Sequence, residues 1–560
     1  MDKLKMQTAD GTMQNIERIA QLFPNCVTEV KKDGKETLAI DFDRLRQELS
    51  DYVVEGNDER YQFTWPDKRK AQLAANAPIS ATLRPCREES VDFDTTGNLY
   101  IEGDNLDVLK CLKETYSGKI KMIYIDPPYN TGNDFVYNDD FAESANDYLA
   151  NSGQYDDQGN RLVNNTESNG RYHTDWLNMI YPRLKVARDL LIDDGVIFIS
   201  IGDKEVENLR KVCDEIFGEK NCVSQIVWKN KYGAGGGTNC VAYVHEYILV
   251  YSKNPLESIT CSLSDELKAA YNKRDEKFET RGGYTTQPLA STSKGARANL
   301  MYPIYHEGNE ILPPKGGRWV WSKEKFDTAY QNNEIVINKT AEGWSVRFKN
   351  YLINEDGTER KGTQLSMITN VFNQEGSKEF AELMSDKRIF DFPKPTSLIL
   401  QLLNLDINES KAAGDIVLDF FSGSSSTAHA VMRFNAMYPN HRKRFILVQL
   451  PEMVSEDSIA FKLGYKSIPD IGKERIRRAG KKIKAENPNA TTLDTGFRVL
   501  KLADSNMLDV YYSPAEVVQQ DLFAQADNIK SDRTSEDLLF QVMLELGVLL
   551  DSKIEMQQVA

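Results

Sequence analysis

A chain of 560 residues is longer than one ordinary core supports and is expected to divide into two to four domains; with 40% hydrophobic and 27% charged residues it is ordinary globular material. A formal net charge of −15 makes any affinity for nucleic acid a matter of local basic surface rather than of the whole-chain sum. No apolar run approaches the roughly 20 residues of a membrane span and the N-terminus has no signal-peptide core, so a cytoplasmic protein without membrane contact is expected, while seven scattered cysteines and only five histidines argue against a disulfide framework and against a metal site.

Residues 1–95 are mixed in character with a helical start. From residue 98, "NLYIEGD" reads as a strand ending at Asp104, and "NLDVLKCLKETYSG" as an amphipathic helix stopped by Gly118. A strand at 121–125 follows directly. Residues 133–172, rich in Asn, Asp, Ser and Gly, read as a mobile interruption. Order resumes with the helix "TDWLNMIYPRLKVARDLL", the strand "GVIFISIGD", the helix "KEVENLRKVCDEIFG" and the strands "CVSQIVW" and "HEYILVYSK", the last two close enough in sequence to pair antiparallel. Between 255 and 385 the rhythm is lost to a polar segment with aromatic and basic residues interleaved ("KGGRWVWSKEKF", "AEGWSVRFKN"). It returns as a turn and helix in "FDFPKPTSLILQLLNL", a strand, loop and helix in "DIVLDFFSGSSSTAHAVMRF", and a strand in "KRFILVQLPE". Strands alternating with helices predict an α/β fold with a mostly parallel sheet covered on both faces. The expected organisation is an N-terminal region 1–95, an α/β domain in two parts, 96–254 and 386–455, an inserted module 255–385, and a C-terminal region 456–560.

Two strand ends carry chemistry. "KMIYIDPPYNTG" stops a buried strand on Asp126-Pro127-Pro128-Tyr129, placing a carboxylate at the carboxyl edge of the sheet, where open α/β sheets bind ligands. The prolines lack N–H groups, so no local donor competes for the carbonyls of Asp126 and Pro127. Acceptors beside an aromatic face suit a planar group bearing an NH2, whereas a polyproline ligand needs an extended, exposed context that a buried strand does not offer. In "DIVLDFFSGSSSTAHAV" a strand, 415–420, runs through Phe421-Ser422-Gly423-Ser424 into a helix. Glycine there lets the backbone approach a ligand, though the same turn also serves as a plain tight connection. "KERIRRAGKKIK", 473–484, carries seven Lys/Arg against one Glu, which fits either a solvated helical face or a phosphate contact.

Together "DPPY" and "FSGSSS" resemble the catalytic and S-adenosylmethionine motifs of amino-group DNA methyltransferases, in the circularly permuted order with the catalytic motif first. With "YIDPPYNTGNDFVYNDDF", "RYHTDWLNMIYPRL", "HEYILVYSK", "FDFPKPTSLI" and "RFILVQLPE", the chain resembles the modification (Mod) subunit of type III restriction–modification systems over most of residues 95–455. The resemblance implies a Rossmann-like, S-adenosylmethionine-dependent methyltransferase sheet with 255–385 as a target-recognition insert. It assigns Asp126, Pro127, Pro128 and Tyr129 to catalysis, the Asp form being usual for adenine N6. For the cofactor it implies Asp419, Phe421, Gly423 and Ser424 at the methionine moiety, Asp104 near the adenine, and Lys394 and Pro395 beside it. Gln449 stands where many relatives have the ribose-binding acid, so either Gln449 or Glu452 fills that role.

Adenine N6 is a poor nucleophile because its lone pair is delocalised into the ring. Hydrogen bonds to Asp126 and the Pro127 carbonyl draw it towards tetrahedral geometry. A stacked base is out of reach, so base flipping is implied, with Tyr129 replacing the lost stacking. Residues 133–172 then act either as a DNA clamp or as a surface loop. Candidate DNA-binding residues are Arg318, Lys325 and Arg347 in the insert and Lys473, Arg475, Arg477 and Arg478 in the basic run. Partners implied by the resemblance are double-stranded DNA, a second copy in a homodimer and a type III restriction (Res) subunit. Alternatives are an amino methyltransferase acting on cytosine N4, on RNA or on a protein amide, and a non-catalytic DNA-recognition subunit.

Overall fold

The computed structural model describes residues 3–4, 8–32, 35–49, 62–132, 171–233, 241–291, 297–341, 343–407, 414–508, 510–511 and 528–555. The expected mobile segment lies, at 133–170, outside the described residues. The chain forms two compact units: Met1–Ser258 with Leu365–Leu403 and Ile407–Ala560, and Ile259–Gln364 with Asn404–Asp406.

The β-branched runs become the centre of a ten-stranded sheet in the first unit. Its strands are β1 (Ala81–Val91), β2 (Leu99–Glu102), β3 (Ile120–Ile125), β4 (Leu191–Ile201), β5 (Cys222–Lys229), β6 (His245–Ser252), β7 (Met367–Ile368), β8 (Asp415–Asp419), β9 (Lys443–Gln449) and β10 (Phe497–Asp504). The spatial order is β7-β5-β6-β4-β3-β8-β9-β2-β10-β1. Strands β4, β3, β8, β9, β2 and β10 run parallel. Every residue of β3 is buried; since successive side chains point to opposite faces, both faces of the sheet are covered there. The expected antiparallel pair is present, with Trp228 of β5 opposite Glu246 of β6.

Helices in this unit include α1 (Asn105–Tyr116), α2 (Tyr172–Leu190), α3 (Asn373–Met384), α4 (Thr396–Leu403), α5 (Ser426–Met437) and α6 (Ile468–Glu486). Strand β3 is followed in the sheet by β4 on one side, and β8 by β9 on the other. Their onward connections therefore diverge, and a crevice opens at the carboxyl ends of β3 and β8. Two strands from segments assigned by sequence to the terminal regions, β1 and β10, extend the same sheet as an antiparallel pair.

The second unit has its own small core. Gly343–Tyr351 pairs antiparallel on both sides, with Tyr284–Pro288 and Ile335–Thr340. Leu289, Ile304, Trp319, Phe326 and Val346 are among the side chains buried between this sheet and its surroundings. One-sided burial of short strands explains why this segment is polar overall yet folded. Among the described residues, no helix is long and apolar enough to cross a membrane.

Candidate active site

Strand β3 delivers Asp126 to the crevice with its side chain 26% exposed. Oδ1 is buried and lies 3.0 Å from Lys394 Nζ, an ion pair without hydrogen-bond alignment. Burial pushes the Asp126 carboxyl up from its ordinary value, against the opposing pull of Lys394. The ammonium of Lys394 also donates to the Tyr129 hydroxyl at 2.9 Å and lies 4.7 Å from the centre of its ring. Burial works against that charge, but Asp126 and Glu246 outweigh it and raise the Lys394 pKa. The turn itself is pinned from below: Trp176 Nε1 donates to the Pro128 carbonyl at 2.8 Å, and buried Asn130, in the left-handed region at φ +56°, donates to Glu205 at 2.6 Å. Pro127 is buried, and its carbonyl accepts no hydrogen bond among the described residues.

The loop after β8 is built around Asp419. Its carboxylate accepts from Phe421 N–H at 3.0 Å and from the Thr427 hydroxyl at 2.5 Å, tying the loop to the first turn of α5. Burial raises Asp419 to about 7, helped by the nearby charge of Asp126 and opposed by these two donors. Gly423 sits at φ +48°, a conformation side chains disfavour, and its N–H donates to Gln449 Oε1 at 2.7 Å. Arg475, fully buried on α6, donates to Ser424 Oγ at 2.8 Å and Ser426 Oγ at 2.7 Å. Ser426 in turn donates to the Lys394 carbonyl at 2.9 Å, joining the two halves of the crevice. Pro395 packs against Gly376 of α3, where an added Cβ would lie 2.2 Å from the Pro393 carbonyl oxygen.

The structure thus brings Asp126, Pro127, Pro128, Tyr129, Lys394, Pro395, Asp419, Phe421, Gly423, Ser424 and Gln449 to neighbouring strand ends and the turns beside them. The residues expected at the cofactor also make contacts within the protein. Lys394, expected beside the cofactor, places its ammonium on Asp126. Asp104 is committed to structure: it caps α1 through Leu106 N–H at 2.8 Å and pairs with buried Arg183 at 3.0 Å. Gln449 has its oxygen on Gly423 N–H, and Glu452, three residues on, accepts Ile468 N–H on its carbonyl at 2.8 Å.

Of the basic run, Lys473 is 3% exposed and held between Glu89 and Glu102, and Arg475 is bound to the serine loop, so neither offers its charge to a phosphate. Arg477 donates to the Glu89 carbonyl at 2.5 Å and Arg478 to Glu474 at 2.8 Å. The exposed basic residues of this helix are instead Lys481, Lys482 and Lys484 in its last turns. In the second unit, Arg347 donates to the Thr286 hydroxyl at 3.0 Å and carbonyl at 2.6 Å, Lys325 lies 4.6 Å over the Trp321 ring, and Arg318 is in a short strand opposite Ser291. Sequence reasoning assigned no role to Glu246, which lies within "HEYILVYSK" and comes beside Asp126 and Lys394 through the antiparallel strand β6.

Residues 120–448 match the family model described as DNA methylase. The chain is 34% identical over 468 residues to the type III restriction-modification enzyme StyLTI Mod subunit of Salmonella typhimurium strain LT2, covering 83% of this chain and 69% of that one. It is 32% identical over 531 residues to the EcoP15I Mod subunit of Escherichia coli, covering 86% and 76%. With the type II methyltransferase M.KpnI of Klebsiella pneumoniae it shares 31% identity over 405 residues, covering 68% and 87%.

Proposed function

Because this chain belongs to the DNA methylase family, among its type III modification (Mod) subunits, we infer that it transfers a methyl group from S-adenosylmethionine to the N6 amine of an adenine flipped out of duplex DNA at a specific sequence. The observation that carries this reading is the pair of acceptors at the crevice: the Asp126 carboxylate and the Pro127 carbonyl, next to the turn in which Trp176 holds the Pro128 carbonyl.

The residues present fit the cofactor. Gly423 keeps the loop free of a side chain where the backbone turns left-handed. Beside it, Ser422, Ser425 and Tyr100 bring buried hydroxyls together without an aligned hydrogen-bond partner among the described residues. Asp419, Phe421, Gly423 and Ser424 would hold the methionine moiety, with Gln449 and Glu452 at the neighbouring strand end. When bound, S-adenosylmethionine supplies an electrophilic methyl group on a sulfonium. Asp126 and the Pro127 carbonyl each accept one N6 hydrogen, drawing the amine out of conjugation so that its lone pair points from the ring. Their negative ends stabilise positive charge as it builds on N6. Tyr129 presents a ring to the flipped base, with its hydroxyl anchored to Glu246 at 3.0 Å.

The second unit is the natural reader of sequence, with Arg318, Lys325 and Arg347 as its basic groups. Homodimerisation, association with a Res subunit and a cytoplasmic location follow from the family reading. The test is direct: incubate duplex DNA with methyl-labelled S-adenosylmethionine and digest it to nucleosides. Label in N6-methyldeoxyadenosine is expected; label in N4-methyldeoxycytidine would overturn the adenine assignment.

A further inference from the structure

Glu246 takes no part in the acceptor pair above, yet it organises that end of the site. It stands near the start of β6 with its side chain 16% exposed. Asn230 Nδ2 donates to its Oε1 at 2.6 Å, the Tyr129 hydroxyl donates to Oε2 at 3.0 Å, and Lys394 Nζ lies 3.5 Å from Oε2. The same ammonium lies 3.0 Å from Asp126 Oδ1. One buried cation is therefore shared between carboxylates carried by two different strands. Because Oδ1 is buried against Lys394 while the residue keeps some exposure, the open side of the Asp126 carboxylate is Oδ2.

An ammonium has three donors and no acceptor, and beside a single carboxylate it is free to engage both oxygens. That would occupy the oxygen needed by an N6 hydrogen. A second carboxylate on the far side of the ammonium removes that freedom. Resting on the adenine reading above, we propose that Glu246 is a positioning residue for the transfer reaction: by holding Lys394 and the Tyr129 hydroxyl, it confines the ammonium to Asp126 Oδ1 and leaves Oδ2 open to the target amine. Two carboxylates and one ammonium also leave a net negative charge, which favours the positive charge that builds on N6.

The groups facing Asp126 are Lys394 from the turn before α4, Glu246 from β6, Tyr124 from its own strand, Tyr129 from its own turn, and Asp419 from β8. Glu246 opposes ionisation of Asp126 as a like charge, and Lys394 favours it. The two therefore pull its titration in opposite directions.

The experiment measures kcat, KM for duplex DNA, cofactor affinity and the acid limb of the kcat profile for wild type, Glu246→Gln, Glu246→Asp and Lys394→Met, with melting temperatures alongside. For Glu246→Gln, kcat should fall roughly 100-fold, with KM and cofactor affinity within about twofold, and the acid limb should move to lower pH. Lys394→Met should move that limb to higher pH, and Glu246→Asp should return it to the wild-type position with part of kcat. An acid limb that stays put in Glu246→Gln, or moves the same way in both charge-removing variants, would overturn the proposal even if melting temperature drops. Nucleoside digestion of the wild-type product separates the two readings. Label outside N6-methyldeoxyadenosine would overturn both, whereas normal N6 labelling with wild-type behaviour of Glu246→Gln would overturn this one alone.

Discussion

At the scale of the residue, the Asp126 carboxylate stands at the end of β3 while the glycine loop lies a strand away, at the end of β8. Asp126→Ala is therefore expected to lower methyl transfer by about 1,000-fold with cofactor affinity nearly intact, as calorimetry beside a turnover assay would establish; lost cofactor binding with retained transfer would refute the assignment. Asp419 makes a different prediction. Burial lifts its pKa from 3.8 to about 7 in the folded chain, so the folded protein keeps a proton that the unfolded chain has already released. Its contribution to stability is complete below the unfolded value and declines as pH rises to about 7. The melting temperature of wild type relative to Asp419→Asn should fall across that window and then level off; a difference independent of pH would contradict it. The strand-end positions of Asp126 and Gly423 were legible in sequence because each sits in a contiguous run whose backbone consequences are local. Glu246 was not, since its meaning depends on β6 returning antiparallel beside β4.

At the scale of the element, α6 shows why a charge run misleads. Ser467 and Asp470 close its N-terminus as a reciprocal cap, and Ile471, Ile476, Ala479 and Ile483 form its buried stripe. Lys473 and Arg475 fall on the packed side, where acids from distant segments, Glu89, Glu102 and Glu379, await them. Nothing within 473–484 announces those partners, so the helix was readable and its orientation was not. Lys473→Met should cost about 2 kcal/mol, because it leaves two partly buried carboxylates with Lys501 as their remaining cation, and should leave the salt dependence of DNA binding unchanged. Denaturant unfolding and binding titrations at several salt concentrations check both halves; a flatter salt slope would restore Lys473 as a phosphate contact. The strands β3, β4, β5 and β6 were legible as apolar or alternating runs. Strands β1 and β10 were not, because an edge pair carrying Arg84, Arg87 and Lys501 has the composition of a solvated segment.

At the scale of the whole molecule, the second unit closes its own core within 259–364, so exchanging residues 259–364 for the matching segment of a relative carries that core intact and leaves β7 and α3 of the first unit in place. The exchange should change the methylated sequence while adenine remains the target, read by sequencing the modified sites; an unchanged site would move specificity to 1–95 or 456–560. The order of the motifs was legible from the chain, but the placement of β8 and β9 between β3 and β2 was not, since it joins strands separated by the entire second unit. That placement has a consequence during synthesis. When β2 and β3 leave the ribosome, each presents an open edge whose partner is still untranslated. The central sheet closes only after residue 449, and its flank only after residue 504, so the nascent chain must carry unpaired edges through most of its own translation, and chaperones that shield such edges should govern its yield.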